Sequence, residues 1–354
     1  MASVASVVVL IPSTGEVGGT WGSTGATATR KLHGLSDQSF TITERTEAVP
    51  MVGYYGASPV NDEVQQAGEF SMEGVVTYQE MPKIYNGLFT YTSASTAAAD
   101  PYDYYWSAPV ASTQACATYG LEFGTTGQPY VARGSIFNGL RISGEAGSNW
   151  KFSVDGLSKQ ILVSSGLSTA AFADSRSMKP VPMKETNIRL VPHATGVFGS
   201  SSGQISATLI SFELNYNPNR HLKFFAGSKE AGNWGDNRNE ATLRTLLEFN
   251  TTAKAYVDEL LASSTSTSST GVPLQKQIRL WASSTSTAGT TGFAASIDFA
   301  GIVSSPIRMW ENRDGNLTVS LEWAGKFSTA FAPVGSTNGN YLSFQIVNGS
   351  SSTT

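Results

Sequence analysis

The sequence predicts a mainly β protein built from two tandem homologous domains, residues 1–185 and 186–354. The chain of 354 residues is long enough to bury two hydrophobic cores. Only 14% of the residues are charged, while Gly, Ser and Thr are plentiful, and this composition suits strands joined by turns better than a helical bundle with charged faces. An internal duplication with an offset of about 180 residues is the third observation.

The duplication begins with a short apolar strand and a Pro/Gly turn. LIPSTGEVGG spans Leu10–Gly19, and LVPHATGVFG spans Leu190–Gly199. The preceding apolar stretches are Val7–Leu10 and Asn187–Leu190. Because self-similarity at a fixed offset is the signature of a repeated architecture, both halves are predicted to start with the same strand.

An alternating segment follows in each half and predicts a hairpin. In the first half the hairpin joins Ser39–Thr46 to Val49–Tyr55. In the second half it joins Thr208–Tyr216 to His221–Ala226, and the Asn-Pro-Asn-Arg sequence at 217–220 supplies the turn.

A strand that runs into a short amphipathic helix is the next shared feature. It covers Gly68–Phe89 in the first half and Asn239–Leu261 in the second. Pro82 is tolerated in the first turn of one helix, and Thr251 or Thr252 is predicted to cap the other. Each half therefore has one short α-helix packed on its sheet.

A polar connection and another strand follow in both halves. The strands are YGLEF at Tyr119–Phe123 and QIRLW at Gln277–Trp281. The Ser/Thr-rich tracts Ser263–Thr270 and Ser283–Thr291 are predicted to be loops or tips, because they cannot bury apolar area.

Each half closes with a strand pair, Ile136–Leu157 in the first and Ile297–Gly325 in the second. Asp314 and Gly315 mark a tight turn within the second pair. Six features thus occur in the same order twice. We predict that each half is a β-sandwich or partly open barrel of about six to eight strands with one short helix.

This order of features resembles the major tail tube proteins of siphophages, bacteriophages with long non-contractile tails. Leu190–Pro192, leading through Gly196 to the hairpin at Thr208, resembles the opening of that family. The strand–helix junction at Leu247–Leu261 resembles its middle. The resemblance covers most of both halves.

The resemblance implies a structural virion protein whose copies join their inner strands into a ring-shaped β-barrel, with rings stacked into a conduit for DNA ejection. Family members commonly have one such domain per chain and six chains per ring. Two fused domains imply three chains per pseudo-hexameric ring. The implied partners are the tape measure, tail terminator and tail tip proteins, and the implied location is the phage tail, assembled in the bacterial host cytoplasm.

The charge balance fits a conduit through which DNA passes without specific binding. The formal net charge is -4, and no run of Lys and Arg is present that would neutralise a row of phosphates. A negatively charged lumen would repel phosphate. Glu44 and Glu47 in the first hairpin and Glu213 in the second are the candidate lumen-facing acids, and an ordinary solvated strand face is the alternative for them.

The segment 100–106, DPYDYYW, combines two carboxylates with four aromatic rings. Such rings are enriched at subunit contacts, and the interface candidates are Tyr102, Tyr104, Tyr105 and Trp106. Two alternatives stay open. One is a virion-surface or secreted β-sandwich that binds carbohydrate or a host receptor through Trp106, and the other is an enzyme that uses Asp100 and Asp103.

Other constellations of reactive residues are absent from the sequence. His33, His193 and His221 lack the spacing of a zinc site, no G-x-S-x-G motif occurs, and Cys116 is the single cysteine. No apolar run approaches the roughly 18 residues of a membrane span. We therefore expect no catalytic, cofactor or metal site and no membrane-spanning helix.

Overall fold

The chain is mainly β and has one large antiparallel network of strands that is not closed into a barrel. The computed structural model describes residues 8–12, 30–32, 35–48, 61–95, 102–109, 118–125, 128–163, 178–192, 205–254, 257–258, 276–288, 291–304, 307–313, 315–327 and 340–348. No helix among these residues is long and apolar enough to cross a membrane.

The first half contains ten of the described strands. They are β1 (Val8–Pro12), β2 (Arg30–Leu32), β3 (Leu35–Ala48), β4 (Asn61–Val75), β5 (Thr90–Ser95), β6 (Tyr102–Ser107), β7 (Tyr119–Thr125), β8 (Gln128–Glu145), β9 (Lys151–Ser158) and β10 (Gln160–Val163).

The second half contains the remaining eleven described strands. They are β11 (Thr186–Pro192), β12 (Ile205–Ala207), β13 (Leu209–Asn217), β14 (His221–Phe224), β15 (Ala231–Gly235), β16 (Glu240–Glu248), β17 (Lys276–Ala288), β18 (Thr291–Val303), β19 (Arg308–Arg313), β20 (Asn316–Gly325) and β21 (Leu342–Asn348).

Helix α1 (Met81–Leu88) follows β4, as the sequence predicts. Pro82 lies in its first turn, where a missing backbone N–H costs no helical hydrogen bond. The helix ends at Phe89, whose backbone is extended and whose N–H donates to the carbonyl of Tyr85. Ile84 and Leu88 are fully buried, so this helix is held by packing.

Helix α2 follows β16 and is described at residues 251–254 and 257–258. Its cap is Asn250, whose Oδ1 accepts the N–H groups of Thr252 at 3.1 Å and Ala253 at 3.0 Å. The predicted cap, Thr251 or Thr252, is therefore wrong by one or two positions. Asn is as effective as Ser or Thr in this role, because its side-chain oxygen satisfies the same free N–H groups.

Eight strands form one continuous sheet in the order β3–β4–β9–β8–β13–β16–β20–β19, with every neighbouring pair antiparallel. We call it the eight-stranded sheet. Side chains alternate between buried and accessible along β9 and β16, because successive residues of a strand point to opposite faces. One face therefore covers the core and the other is polar.

A second layer covers the apolar face of the eight-stranded sheet. In the first half its order is β2–β1–β7–β8–β10, and in the second half it is β12–β11–β17–β18–β21, to which β6 and β5 are added. Strand β8 serves both layers, since its first part pairs with β7 and β10 and its second part with β9 and β13. A register shift between Phe137 and Gly139 lies where it changes layer.

The apolar side chains of both halves form one connected cluster. It joins β4, β8 and β9 of the first half to β13, β16, β18 and β21 of the second. Burial of a large apolar side chain contributes about 1.5–3 kcal/mol, and tens of such side chains are buried here. This cluster is the main source of stability.

The structure corrects the predicted hairpin of the second half, and the first hairpin lies partly outside the described residues. Strand β3 pairs with β4, and the predicted partner Val49–Tyr55 lies outside the described residues. Strand β13 pairs with β16 and β8, whereas β14 pairs with β15. For β13, the nearest alternating segment in the sequence is not the pairing partner, because a buried strand needs hydrogen-bond partners along both of its edges.

The sequence predicts a loop or tip for the Ser/Thr-rich tract Ser283–Thr291. Its described residues belong to the ends of β17 and β18, with Thr287 opposite Gly292. The aromatic segment forms β6. The tract Ser263–Thr270 lies outside the described residues. Small polar residues thus extend a hairpin here, since backbone hydrogen bonds can be made without apolar burial.

Candidate functional site

The accessible face of the eight-stranded sheet is polar and acidic. Its carboxylates among the described side chains are Asp37, Glu69, Glu73, Glu145, Asp155, Glu213, Glu240, Glu248, Glu311 and Glu322. The basic groups among the described side chains of this face are Arg45, Arg141, Lys151, Arg244 and Arg308. Acids thus outnumber bases two to one, and we call this surface the acidic face.

Glu213 lies at the centre of the acidic face. Its Oε2 accepts a hydrogen bond from Arg141 Nη2 at 2.7 Å, and its Oε1 accepts one from Asn215 Nδ2 at 2.9 Å. Partial burial acts to raise the pKa of Glu213, but the bonds from Asn215 and Arg141 outweigh it and hold that pKa below its usual value. The residue therefore stays ionised near neutral pH.

Of the three predicted lumen acids, one has a described side chain and two do not. Glu213 lies on the acidic face, opposite Ser143 of β8 and Arg244 of β16. Glu44 and Glu47 lie on β3, and their side chains fall outside the described part of the chain.

The two halves of the chain meet within the eight-stranded sheet, where β8 pairs with β13. The register places Ile142 opposite Leu214 and Leu140 opposite Tyr216. All four side chains are buried. This pairing, which we call the closed junction, turns two four-stranded sets into one sheet with no interruption of the hydrogen-bond ladder.

An aromatic contact seals the closed junction on the core side. Phe212 of β13 packs edge-on against Trp150, with ring centroids 4.9 Å apart and planes at 72°. Phe212 also lies over Gly144 of β8, where a Cβ would approach the ring to 2.6 Å. Because residue 144 has no Cβ, the Phe212 ring of the second half can pack against β8 of the first half.

A buried arginine fastens the end of the closed junction. Arg220, only 4% exposed, donates from Nη1 to the carbonyls of Gly87 at 2.7 Å and Phe137 at 2.8 Å, and from Nε to Asp236 Oδ1 at 3.0 Å. Its Nη2 donates to the carbonyl of Leu88. One side chain of the second half thus satisfies the C-terminal carbonyls of α1 in the first.

The second layer also joins the halves, through the segment in which we predicted interface residues. Strand β6 pairs with β21, with Trp106 opposite Phe344 and Tyr104 opposite Ile346. Trp106 is fully buried, and its Nε1 donates to Asn86 Oδ1 at 2.6 Å.

Three of the four predicted interface rings are buried within the chain. Tyr104 and Tyr105 are buried like Trp106, so the prediction that they anchor a subunit contact is wrong for these three rings in the single chain. Tyr102 pairs with Asn348, and its side chain lies outside the described set. A carbohydrate platform requires exposed rings, so Trp106 does not supply one.

Of the two carboxylates considered for an enzyme, only Asp103 is among the described residues. Asp103 lies on β6, where burial raises its pKa and a hydrogen bond with Gln345 opposes the shift. Asp100 is outside the described residues. Within the described ranges, no group of three or more His, Cys, Asp and Glu side chains is arranged to hold a metal ion.

No protein-family model matches the chain, and no curated protein sequence matches it significantly.

As far as the described strands extend, the eight-stranded sheet ends in two edges that have no further partner, and we call them the open edges. Among the described residues, β3 pairs only with β4 and β19 only with β20. Both edges expose large apolar side chains, since Ile42 of β3 is 49% exposed and Trp310 of β19 is 64% exposed. An open strand edge with apolar side chains is a template for pairing with another chain.

Neither the closed junction nor the open edges could be recognised in the sequence. Apolar and polar residues alternate in the same way along a strand with two partners and along an edge strand. The alternation therefore does not indicate which strand lies beside it. Arg220 carried only a weak signal, its place after the Asn-Pro-Asn turn.

Proposed function

We propose that the chain is a structural subunit that polymerises into rings, and that the rings stack into the tail tube of a long-tailed bacteriophage. The closed junction carries this proposal. It joins the last strand of one four-stranded set to the first strand of the next, and among the described strands the same two kinds of edge, on β3 and β19, have no partner. A further copy would continue the sheet by pairing its β3 with β19.

We interpret the halves, 1–185 and 186–354, as two copies of one tube domain. The set β3–β4–β9–β8 has the same chain order as β13–β16–β20–β19, and in both sets the second strand leads into a helix. The second layer repeats too, with β2–β1–β7 matching β12–β11–β17.

The correspondence also predicts the register between copies. Aligning β4 with β16 and β9 with β20 through their pairings makes Phe40 equivalent to Leu214 and Met309 equivalent to Ile142. Leu214 lies opposite Ile142 at the closed junction. Phe40 of one copy should therefore lie opposite Met309 of its neighbour, and Thr41 opposite Arg308.

Three copies would give a ring wide enough for a DNA duplex to pass. Three times eight strands make 24, and with a strand spacing of about 4.8 Å and a tilt of about 40° the barrel measures roughly 48 Å between opposite backbones. After subtraction of the side chains on both walls, a DNA duplex still fits. Head-to-tail contacts of this kind close only as rings or continue as filaments.

The acidic face is the surface that would line the ring. The core and the second layer lie on the other side of the sheet, so closing the eight-stranded sheet puts the acidic face inside. Its excess of carboxylates would repel DNA phosphates and favour sliding over binding. In a tail, the ends of the tube would meet the tape measure, terminator and tip proteins.

A pair of engineered cysteines tests the proposal. In a Cys116→Ser background, Thr41→Cys and Arg308→Cys face each other only across a copy-to-copy junction, where directly opposed Cβ atoms lie about 4.5–5.5 Å apart. Oxidation should give a covalent ladder that ends at the trimer, and electron microscopy should show annuli with threefold symmetry.

The matched control combines Arg308→Cys with Thr242→Cys. Thr242 shares the acidic face but has strands on both sides, so this pair should give no ladder. A wild-type chain that remains a single copy at every concentration, with no ladder from the edge pair, would contradict the proposed function.

A further inference from the structure

Trp310 occupies an unusual place on the open edge strand β19. It is the extra residue of a β-bulge, since Met309 lies opposite Val319 and Glu311 opposite Thr318. Its φ of 61° is in the left-handed region, which a large non-glycine residue rarely adopts. Such bulges redirect a side chain, and strained backbone persists where the surrounding structure holds it.

The bulge directs Trp310 towards the end of the core rather than towards the acidic face. Its ring packs edge-on against Phe249, with centroids 6.2 Å apart and planes at 88°. The N–H of Phe249 donates to the carbonyl of Leu317 at 2.7 Å, and Leu317 is itself half exposed. Trp310 and Leu317 thus form an apolar patch beside the open edge.

The closed junction has an aromatic side chain at the same end of the sheet. Trp150 immediately precedes β9, and Leu317, its counterpart in the second half, is the second residue of β20. Trp150 packs against Phe212 from the first strand of the next four-stranded set. The first strand at the open junction is β3, where Phe40 is half-buried and stacks on Phe123 with ring centroids 3.5 Å apart.

We propose that Trp310 is the anchor of the copy-to-copy contact and packs on the β3 edge of a second copy at Phe40. The inference rests on the proposed function and names the side chain that stabilises it. A second copy fits this patch because the closed junction already pairs edges of the same two kinds, β8 with β13, within one chain. That pairing has an aromatic contact on its core side. Tryptophan at the centre of an interface is the side chain whose removal most often costs affinity.

The test compares Trp310→Ala and Trp310→Gly with Phe225→Ala in the full chain. Phe225 is an exposed aromatic residue that follows β14, outside the eight-stranded sheet, so its variant should assemble like the wild type. Both Trp310 variants should raise the concentration for half-maximal assembly at least tenfold in sedimentation velocity. Glycine accepts the positive φ, so Trp310→Gly should unfold at a temperature no lower than the wild type as a single copy.

Fluorescence provides a second readout. The difference between wild-type and Trp310→Phe spectra isolates Trp310 among the seven tryptophans. Its emission should shift to shorter wavelength on assembly, because the ring leaves water.

The outcomes separate the two proposals. Rings that form equally well from Trp310→Ala, or a Trp310 emission that does not change on assembly, overturn the anchor and leave the tube subunit standing. A wild-type chain that never assembles overturns both.

Discussion

The closed junction and the open edges are the same kind of strand edge in two different states. At the closed junction, Leu140 and Tyr216 are buried under a continuous ladder. At the open edge, Ile42, which the correspondence between the halves aligns with Tyr216, is half exposed. The difference is that the chain pairs one such edge within itself, whereas the equivalent edges of β3 and β19 have no second partner among the described strands.

The two regions also differ in the contacts that stabilise them. The closed junction is held by the Arg220 hydrogen bonds, by Phe212 on Trp150, and by β6 in the second layer. Removing these contacts should lower the stability of the single chain by more than changes at the open edges do, whereas changes at the open edges should act mainly on assembly.

The largest loss of stability is expected from Leu140→Ala. Leu140 is buried in the closed junction, and truncation of such a side chain costs about 3–4 kcal/mol of unfolding free energy. Ile42→Ala at the open edge should cost less than about 1 kcal/mol, since the side chain is already half hydrated. Urea denaturation of single copies measures both, and equal losses would remove the contrast between the regions.

Arg220→Met should cost about 2–3 kcal/mol, because it leaves the carbonyls of Gly87 and Phe137 without their donor. The control is Lys223→Met, an exposed cation in the same turn region, which should be nearly neutral. Denaturation midpoints distinguish them. A neutral Arg220→Met would mean that water replaces the guanidinium, and that the junction is held by the ladder alone.

Ile42→Lys should separate folding from assembly. The single chain should lose less than about 0.5 kcal/mol, because surface substitutions away from special features cost little, whereas a lysine on a strand edge opposes pairing with another chain. Light scattering should show no assembled species at concentrations where the wild type forms them. Assembly at wild-type levels would place the copy-to-copy contact elsewhere.

The smallest effect is expected at the Arg141–Glu213 pair, whose Arg141 side chain is 57% exposed. Exposed pairs contribute a few tenths of a kcal/mol. Because the folded-state pKa of Glu213 is lowered, its contribution is present above the unfolded pKa of about 4.3 and is lost as pH falls through the folded value. The stability difference between wild type and Glu213→Gln should therefore shrink as the pH falls below about 4.3. A difference that does not shrink on acidification would assign it to packing.

Local features of the fold were predictable from the sequence. The mainly β class, α1 after β4, and strands at Tyr119–Phe123 and Gln277–Trp281 are confirmed, because period-two alternation and turn residues act over short distances. The pairing partners were not predictable. Strand β13 takes β8 and β16 across long stretches of chain, and such choices depend on the whole core.

The residues of the candidate site also divide into those that the sequence predicts and those that it does not. Glu213 on the acidic face follows from strict alternation along β13. The burial of Trp106 does not follow from sequence, because an aromatic-rich strand looks the same whether it faces solvent or another half of the chain. Arg220 and Trp310 depend on a long-range contact and a bulge, and neither has a sequence signal of its own.

The crossing of β6 to β21 has a consequence for how the chain can be divided. A strand of the first half completes a sheet of the second, while Arg220 of the second half caps a helix of the first. The halves are interlocked in both directions. A chain split between β10 and β11 and produced as two fragments should therefore behave as a complementing pair, each fragment recovering its missing strand or cap only when the other is present.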